Sequence, residues 1–174
     1  MSHTCRIPII AALAASSLSA QLRPVALTRE SVATREIGAV FISMASCCEG
    51  MTADLRGPID SVRRVLLSRA QENGSAFRMI GVSLDWRPED GWNYLKQFGE
   101  FNEVAVGNNW YGMLPEVLMF TDGNVEPVVP QIVIYERMVT RGETRPTFGP
   151  RTILKRLRGR DEIVAWLRDG SRLR

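Results

Sequence analysis

The strongest constraint in this sequence is a hydrophobic period that changes, and then changes again in the same order. Ile37-Gly-Ala-Val-Phe-Ile-Ser43 is a short run with almost no polar side chain. Such a run suits a strand buried on both faces. From Thr52 to Glu72 the apolar positions fall at spacings of three and four: Leu55, Ile59, Val62, Val65, Leu66 and Ala70. That stripe predicts an amphipathic helix. Pro58 inside it predicts a kink, or a helix that begins there. Asn73-Gly74 closes the stripe as a C-cap. Phe77 to Trp86 returns to the strand pattern, and Pro88-Glu-Asp opens a second helix through Phe98. The acidic residues in its first turn favour the helix dipole. Two strands joined by a crossover helix predict parallel pairing.

The second half reads differently. Val104 and Val106 suggest a short edge strand, and Asn108 to Gly112 reads as a loop. Pro130 precedes a third strand, Gln131 to Arg137. A polar, Gly/Pro-rich connection spans Thr140 to Pro150, and Arg151 to Leu157 alternates as a hairpin partner. Asp161 to Arg168 is an amphipathic C-terminal helix, with Ile163, Val164, Trp166 and Leu167 apolar. The expected fold class is therefore α/β with a central mixed sheet. Its first half is parallel, and its second half is a hairpin capped by a helix.

Composition supports one domain. The chain has 174 residues, 45% hydrophobic and 24% charged, enough for a core without disulfide staples. The net charge of +3 is too small to imply nucleic acid. Basic residues crowd Arg151, Lys155, Arg156, Arg158 and Arg160, and read as a solvated face able to attract acidic partners. The single histidine, His3, lies near the N-terminus. A domain without imidazole has no Ser-His-Asp or Cys-His catalysis and no histidine-ligated metal. No Gly-rich phosphate loop is present, and no cofactor is expected.

Residues Ile7 to Leu22 carry no charge, follow Arg6, and end in the small residues Ser16, Ser17, Ser19 and Ala20. This is the order of a secretory signal. The apolar part is too short for a comfortable transmembrane helix, so no stable membrane insertion is expected after cleavage. The expected organisation is a signal or apolar segment over 1–20, a polar lead-in over 21–36, and a domain over 37–170. Export to the periplasm or beyond is expected, with a cytoplasmic protein as the alternative. Oligomeric state is left open.

The cysteines carry the chemistry. If the signal is cut, Cys5 leaves with it, and the mature chain keeps Cys47 and Cys48. They follow the first strand in Ala39-Val-Phe-Ile-Ser-Met-Ala-Ser-Cys-Cys-Glu-Gly-Met51. Adjacent cysteines close only a strained eight-membered ring when they pair. That segment, the strand Phe77 to Trp86, and Val129-Pro130-Gln131-Ile132 stand in the order of the thioredoxin superfamily. Over roughly 37–169 the chain resembles an exported thioredoxin-like protein. The resemblance implies a three-layer α/β/α fold, with a cis-proline turn at Pro130 facing the cysteines. It also implies a thiolate favoured at a helix N-terminus.

The usual Cys-x-x-Cys spacing is broken, since Gly50 and Met51 stand three residues after Cys47 and Cys48. The implied activity is thiol–disulfide exchange of a divergent, monothiol type. Cys48, or Cys47, attacks and an external thiol resolves. Val129, Pro130 and Trp110 would hold substrate, and the partners would be protein or small-molecule thiols and disulfides. The competing expectation is a binding module of the same fold that has lost catalysis.

Overall fold

Apolar strand runs must be covered on both faces, and here a six-stranded mixed sheet does this. The computed structural model describes residues 32–48, 50, 52–107, 109–120, 127–142 and 144–173. The expected signal over 1–20 and most of the lead-in lie outside the described residues. β1 (Val32–Ser43) is central. It pairs in parallel with β2 (Ala76–Ser83) and antiparallel with β4 (Gln131–Arg141). β3 (Glu103–Ala105) adds in parallel to the outer edge of β2. The other edge of β4 is shared: β6 (Thr152–Arg158) pairs with its first half, and β5 (Pro146–Phe148) with its far end.

The helices follow from the stripes. α1 (Ala45–Cys48) is a single turn after β1, and α2 (Thr52–Glu72) follows it. α2 buries Leu55, Ile59, Val62, Leu66 and Ala70. Pro58 lies within α2, which starts ahead of it rather than at it. α3 (Pro88–Leu95) tightens into a 3-10 turn over Lys96–Phe98 and ends at Gly99, whose φ of 89° suits glycine. A series of short turns follows: Asn109–Tyr111, α4 (Met113–Pro115) and a π turn over Glu116–Phe120. α5 (Gly159–Arg168) closes the chain. Among the described residues no helix is long and apolar enough to cross a membrane.

The two faces of the sheet are covered unequally. One carries α2, α3 and α5 over Ala39, Phe41, Met79, Ile132 and Ile134. The other carries, among the described residues, only the short turns, through Leu118, Met119, Trp110 and Leu114, over Val40, Ile42, Ile80, Val82 and Val133. Sequence reading expected helices on both sides. It also began the first strand at Ile37, whereas β1 starts at Val32 and pairs there with Arg141. Backbone pairing to β4 recruits the polar residues Thr34 and Arg35 that hydrophobic pattern alone leaves out.

Gly38 stands directly opposite Tyr135 in the β1–β4 register, and the Tyr135 ring lies across it. A Cβ at position 38 would meet three Tyr135 atoms at 2.1–2.4 Å. Gly38→Ala is expected to destabilise the fold by about 1–3 kcal/mol through overpacking. A urea midpoint that falls with an unchanged m-value is the expected readout; an unchanged midpoint would show that Tyr135 moves aside freely.

Candidate functional site

Ser43 ends β1, and its hydroxyl shares a hydrogen bond of 2.8 Å with the buried Tyr94 hydroxyl. The chain then turns into α1. A helix this short has its first N–H groups unpaired, and Asp85 supplies the acceptors. Ala45 N–H donates to Oδ2 at 2.9 Å, and Ser46 N–H to Oδ1 at 3.4 Å. Asp85 is buried just beyond the end of β2. The Ser83 hydroxyl donates to its Oδ2 at 2.6 Å and accepts from its backbone N–H at 3.1 Å. Parallel pairing of β1 with β2 brings the two strand ends together, so one strand caps the helix that leaves the other.

Cys47 and Cys48 occupy the last two positions of α1. Cys47 is exposed and Cys48 is buried in the core beneath α2. Both are free thiols, with sulfurs 2.7 Å apart. The accessible thiol is thus Cys47, whereas sequence reading favoured Cys48. Burial of its sulfur pushes the Cys47 thiol up to about 12. The hydrogen bond and charge of Cys48 add to this, and the Asp85 carboxylate adds further. The residue is exposed overall, but its sulfur lies against Cys48 and 3.9 Å from the Met44 carbonyl. The cysteines do not lie at a helix N-terminus, where sequence places them. The cysteines sit at the far end of α1, its N–H groups are already given to Asp85, and α2 begins beyond them at Thr52.

The Val129–Pro130 peptide is cis. Pro130 is buried, and its carbonyl accepts the Gly159 N–H at 2.7 Å. The next residue, Gln131, pairs with Ile42 in β1. Pro130 therefore arrives beside the end of the strand from which the cysteines emerge. Val129 packs against both apolar clusters. Trp110 is half-buried against the second cluster, its ring 6.3 Å from Phe120. The exposed aromatic surface belongs to its neighbours instead. Trp86 is 67% exposed and Tyr111 82%, with ring centroids 6.3 Å apart.

Asp85 and Ser83 are the site residues that sequence reading passed over. Asp85 read as a strand end. Their spacing is that of a side chain bonding the backbone two residues away, but nothing local tells which helix such a carboxylate would cap.

The chain matches no protein-family model, no curated protein and no solved structure. The geometry alone therefore defines the chemistry at hand: one accessible thiol, one buried thiol in contact with it, and a carboxylate that caps the turn carrying them.

Proposed function

We propose that this chain is a divergent, thioredoxin-like thiol–disulfide oxidoreductase that works through Cys47, with Cys48 behind it. The observation that carries the reading is the division of an adjacent pair into an exposed and a buried thiol, 2.7 Å apart, at the end of the central strand. The topology supports it. The reading draws support from a parallel β1–β2 pair, an antiparallel β1–β4–β6 arrangement and a closing helix, the order of elements that a thioredoxin-like plan requires. The cis Val129–Pro130 peptide at the head of β4 adds support, since a thioredoxin-like plan would carry a proline there.

The chemistry balances as two exchanges. The Cys47 thiolate attacks one sulfur of a disulfide, forming a mixed disulfide and releasing one thiolate. The Cys48 thiolate then attacks the Cys47 sulfur, closing the vicinal ring and releasing the second. The substrate gains two electrons and the protein loses them. Where ring strain slows the second step, an external thiol attacks the mixed disulfide at the substrate-derived sulfur. Cys47 returns as a thiolate, and the departing group leaves as a new disulfide with that thiol. Substrates are protein or small-molecule disulfides, met outside the cytoplasm if the N-terminal segment directs export.

Intact-mass analysis tests this in a Cys5→Ser background with glutathione disulfide at about pH 9, where thiolate is about a hundredfold more abundant than at pH 7. Cys48→Ser is expected to hold one glutathione, while Cys47→Ser takes none. The parent is expected to lose two hydrogens or carry one adduct, according to which thiol resolves. A folded Cys48→Ser protein that acquires no adduct would overturn the reading. The second reading, an inactive binding module of the same plan, draws support from the raised Cys47 thiol and the Asp85 carboxylate beside it.

A further inference from the structure

Among the described residues, the three most exposed large hydrophobic side chains are Tyr111 at 82%, Met113 at 78% and Trp86 at 67%. They gather at one end of the sheet. Trp86 follows Asp85 just beyond β2, and its ring lies 6.3 Å from that of Tyr111. Met113 follows Tyr111 by two residues and opens α4. Single exposed apolar residues are ordinary, but a group of them marks a contact surface.

That end is the cysteine end. β1 and β2 run in parallel and finish at the pair Ser43 and Ser83. Asp85, the residue before Trp86, accepts the N–H groups of Ala45 and Ser46 in the turn that carries Cys47. The aromatic surface therefore borders the accessible thiol. Large rings beside a reacting group bind the part of a substrate that does not itself react. Holding a disulfide against Cys47 raises its effective concentration there, which matters for a thiol that is largely protonated at neutral pH. Glutathione carries charged groups and no apolar side chain, so it gains little from Trp86 and Tyr111. A polypeptide disulfide gains more, where aliphatic or aromatic residues flank its cysteine.

We propose that Trp86, Tyr111 and Met113 dock an apolar polypeptide segment beside the Cys47 sulfur, which makes disulfide-bonded proteins the preferred substrates over glutathione disulfide. This rests on the reading of Cys47 as the exchanging thiol. It assigns substrate selection to Trp86 and Tyr111 rather than to Trp110, which is half-buried against the second apolar cluster.

The rate of adduct formation by the full chain carrying Cys5→Ser and Cys48→Ser tests it, read by intact mass at about pH 9. The probes are glutathione disulfide and the symmetric disulfides of two end-capped tripeptides, Leu-Cys-Phe and Ser-Cys-Ser. The Leu-Cys-Phe disulfide is expected to react about tenfold faster than its Ser-Cys-Ser counterpart, the combined share of two rings. Trp86→Ala and Tyr111→Ala, both at exposed positions, are each expected to lower that ratio about threefold. Circular dichroism confirms that each variant is folded. Equal rates for the two peptides, or an unchanged ratio in both variants, overturn the docking surface, while adducts with glutathione disulfide leave the exchange reading standing. No adduct with any of the three probes overturns the exchange reading and the docking surface with it. A dimer in sedimentation that dissociates in Tyr111→Ala gives this surface to a second copy of the chain and overturns the substrate assignment.

Discussion

Disulfide exchange at Cys47 is expected to run roughly 30- to 60-fold slower at pH 7 than at free cysteine. The thiol stands at about 12 against an ordinary 9.0, so its thiolate is scarcer by about three powers of ten. A more basic thiolate is intrinsically the better nucleophile. With a Brønsted slope of about 0.4–0.5, roughly half of that deficit is recovered. The sign of the pH dependence follows directly. Below the raised value each pH unit exposes tenfold more thiolate, so the rate with glutathione disulfide should climb about tenfold per unit from pH 6 to 10. Cys48→Ala removes the hydrogen bond and charge that help hold the proton, and should speed the first exchange at pH 7. A plateau near neutral pH would show an activated thiolate and would sink the geometric account of Asp85 and Cys48. The same measurement separates the two functional readings. An enzyme with this site needs a reactive or closely docked disulfide to act at neutral pH, whereas an inactive module needs none.

The second large effect lies at the other end of β1. Glu36→Ala is expected to cost about 3–5 kcal/mol of stability, the cost of breaking a buried ion pair from one side. Glu36 is 4% exposed and Arg137 8%. The Arg137 Nε donates to Oε1 at 2.7 Å, the Tyr135 hydroxyl donates to the same oxygen at 3.4 Å, and Arg78 takes Oε2. Without the carboxylate, Arg137 keeps its burial and its stacking on Phe148 but loses its counter-charge. Arg78 retains Glu103 at 3.4 Å and suffers less. Removing both partners, as Glu36→Leu with Arg137→Leu, is expected to be more stable than Glu36→Leu alone, because no unpaired charge stays buried. Denaturant unfolding of the singles and the double reads this coupling. A Glu36→Ala loss below about 1 kcal/mol would mean that water solvates the cluster as it does a surface pair.

The fold was legible wherever a period was strong. Leu55 to Ala70 gave α2 its bounds, Asn73-Gly74 its end, and Gln131 onward the start of β4. It was illegible where backbone pairing outranks side-chain pattern. β5 (Pro146–Phe148) forms inside a stretch that reads as a polar connection, because the far end of β4 offers it unpaired backbone groups. Asn108 to Gly112 read as a loop, and the sheet face beneath the turns from Asn109 to Phe120 required a cover. At the site, residue types were visible and their roles were not. Trp110 was expected to hold substrate; it is half-buried against the second apolar cluster, while its neighbour Tyr111 is exposed.

For the cysteines the division is plain. Sequence alone determined that two adjacent thiols follow an apolar strand, without a second cysteine at the usual spacing and with His3 the single histidine. Those are facts of covalent order and composition. Tertiary structure decided which thiol meets solvent and in what state. Exposure of Cys47, burial of Cys48, and the Asp85 cap all depend on β2 lying parallel beside β1. That contact joins residues about forty positions apart, and no local pattern encodes it.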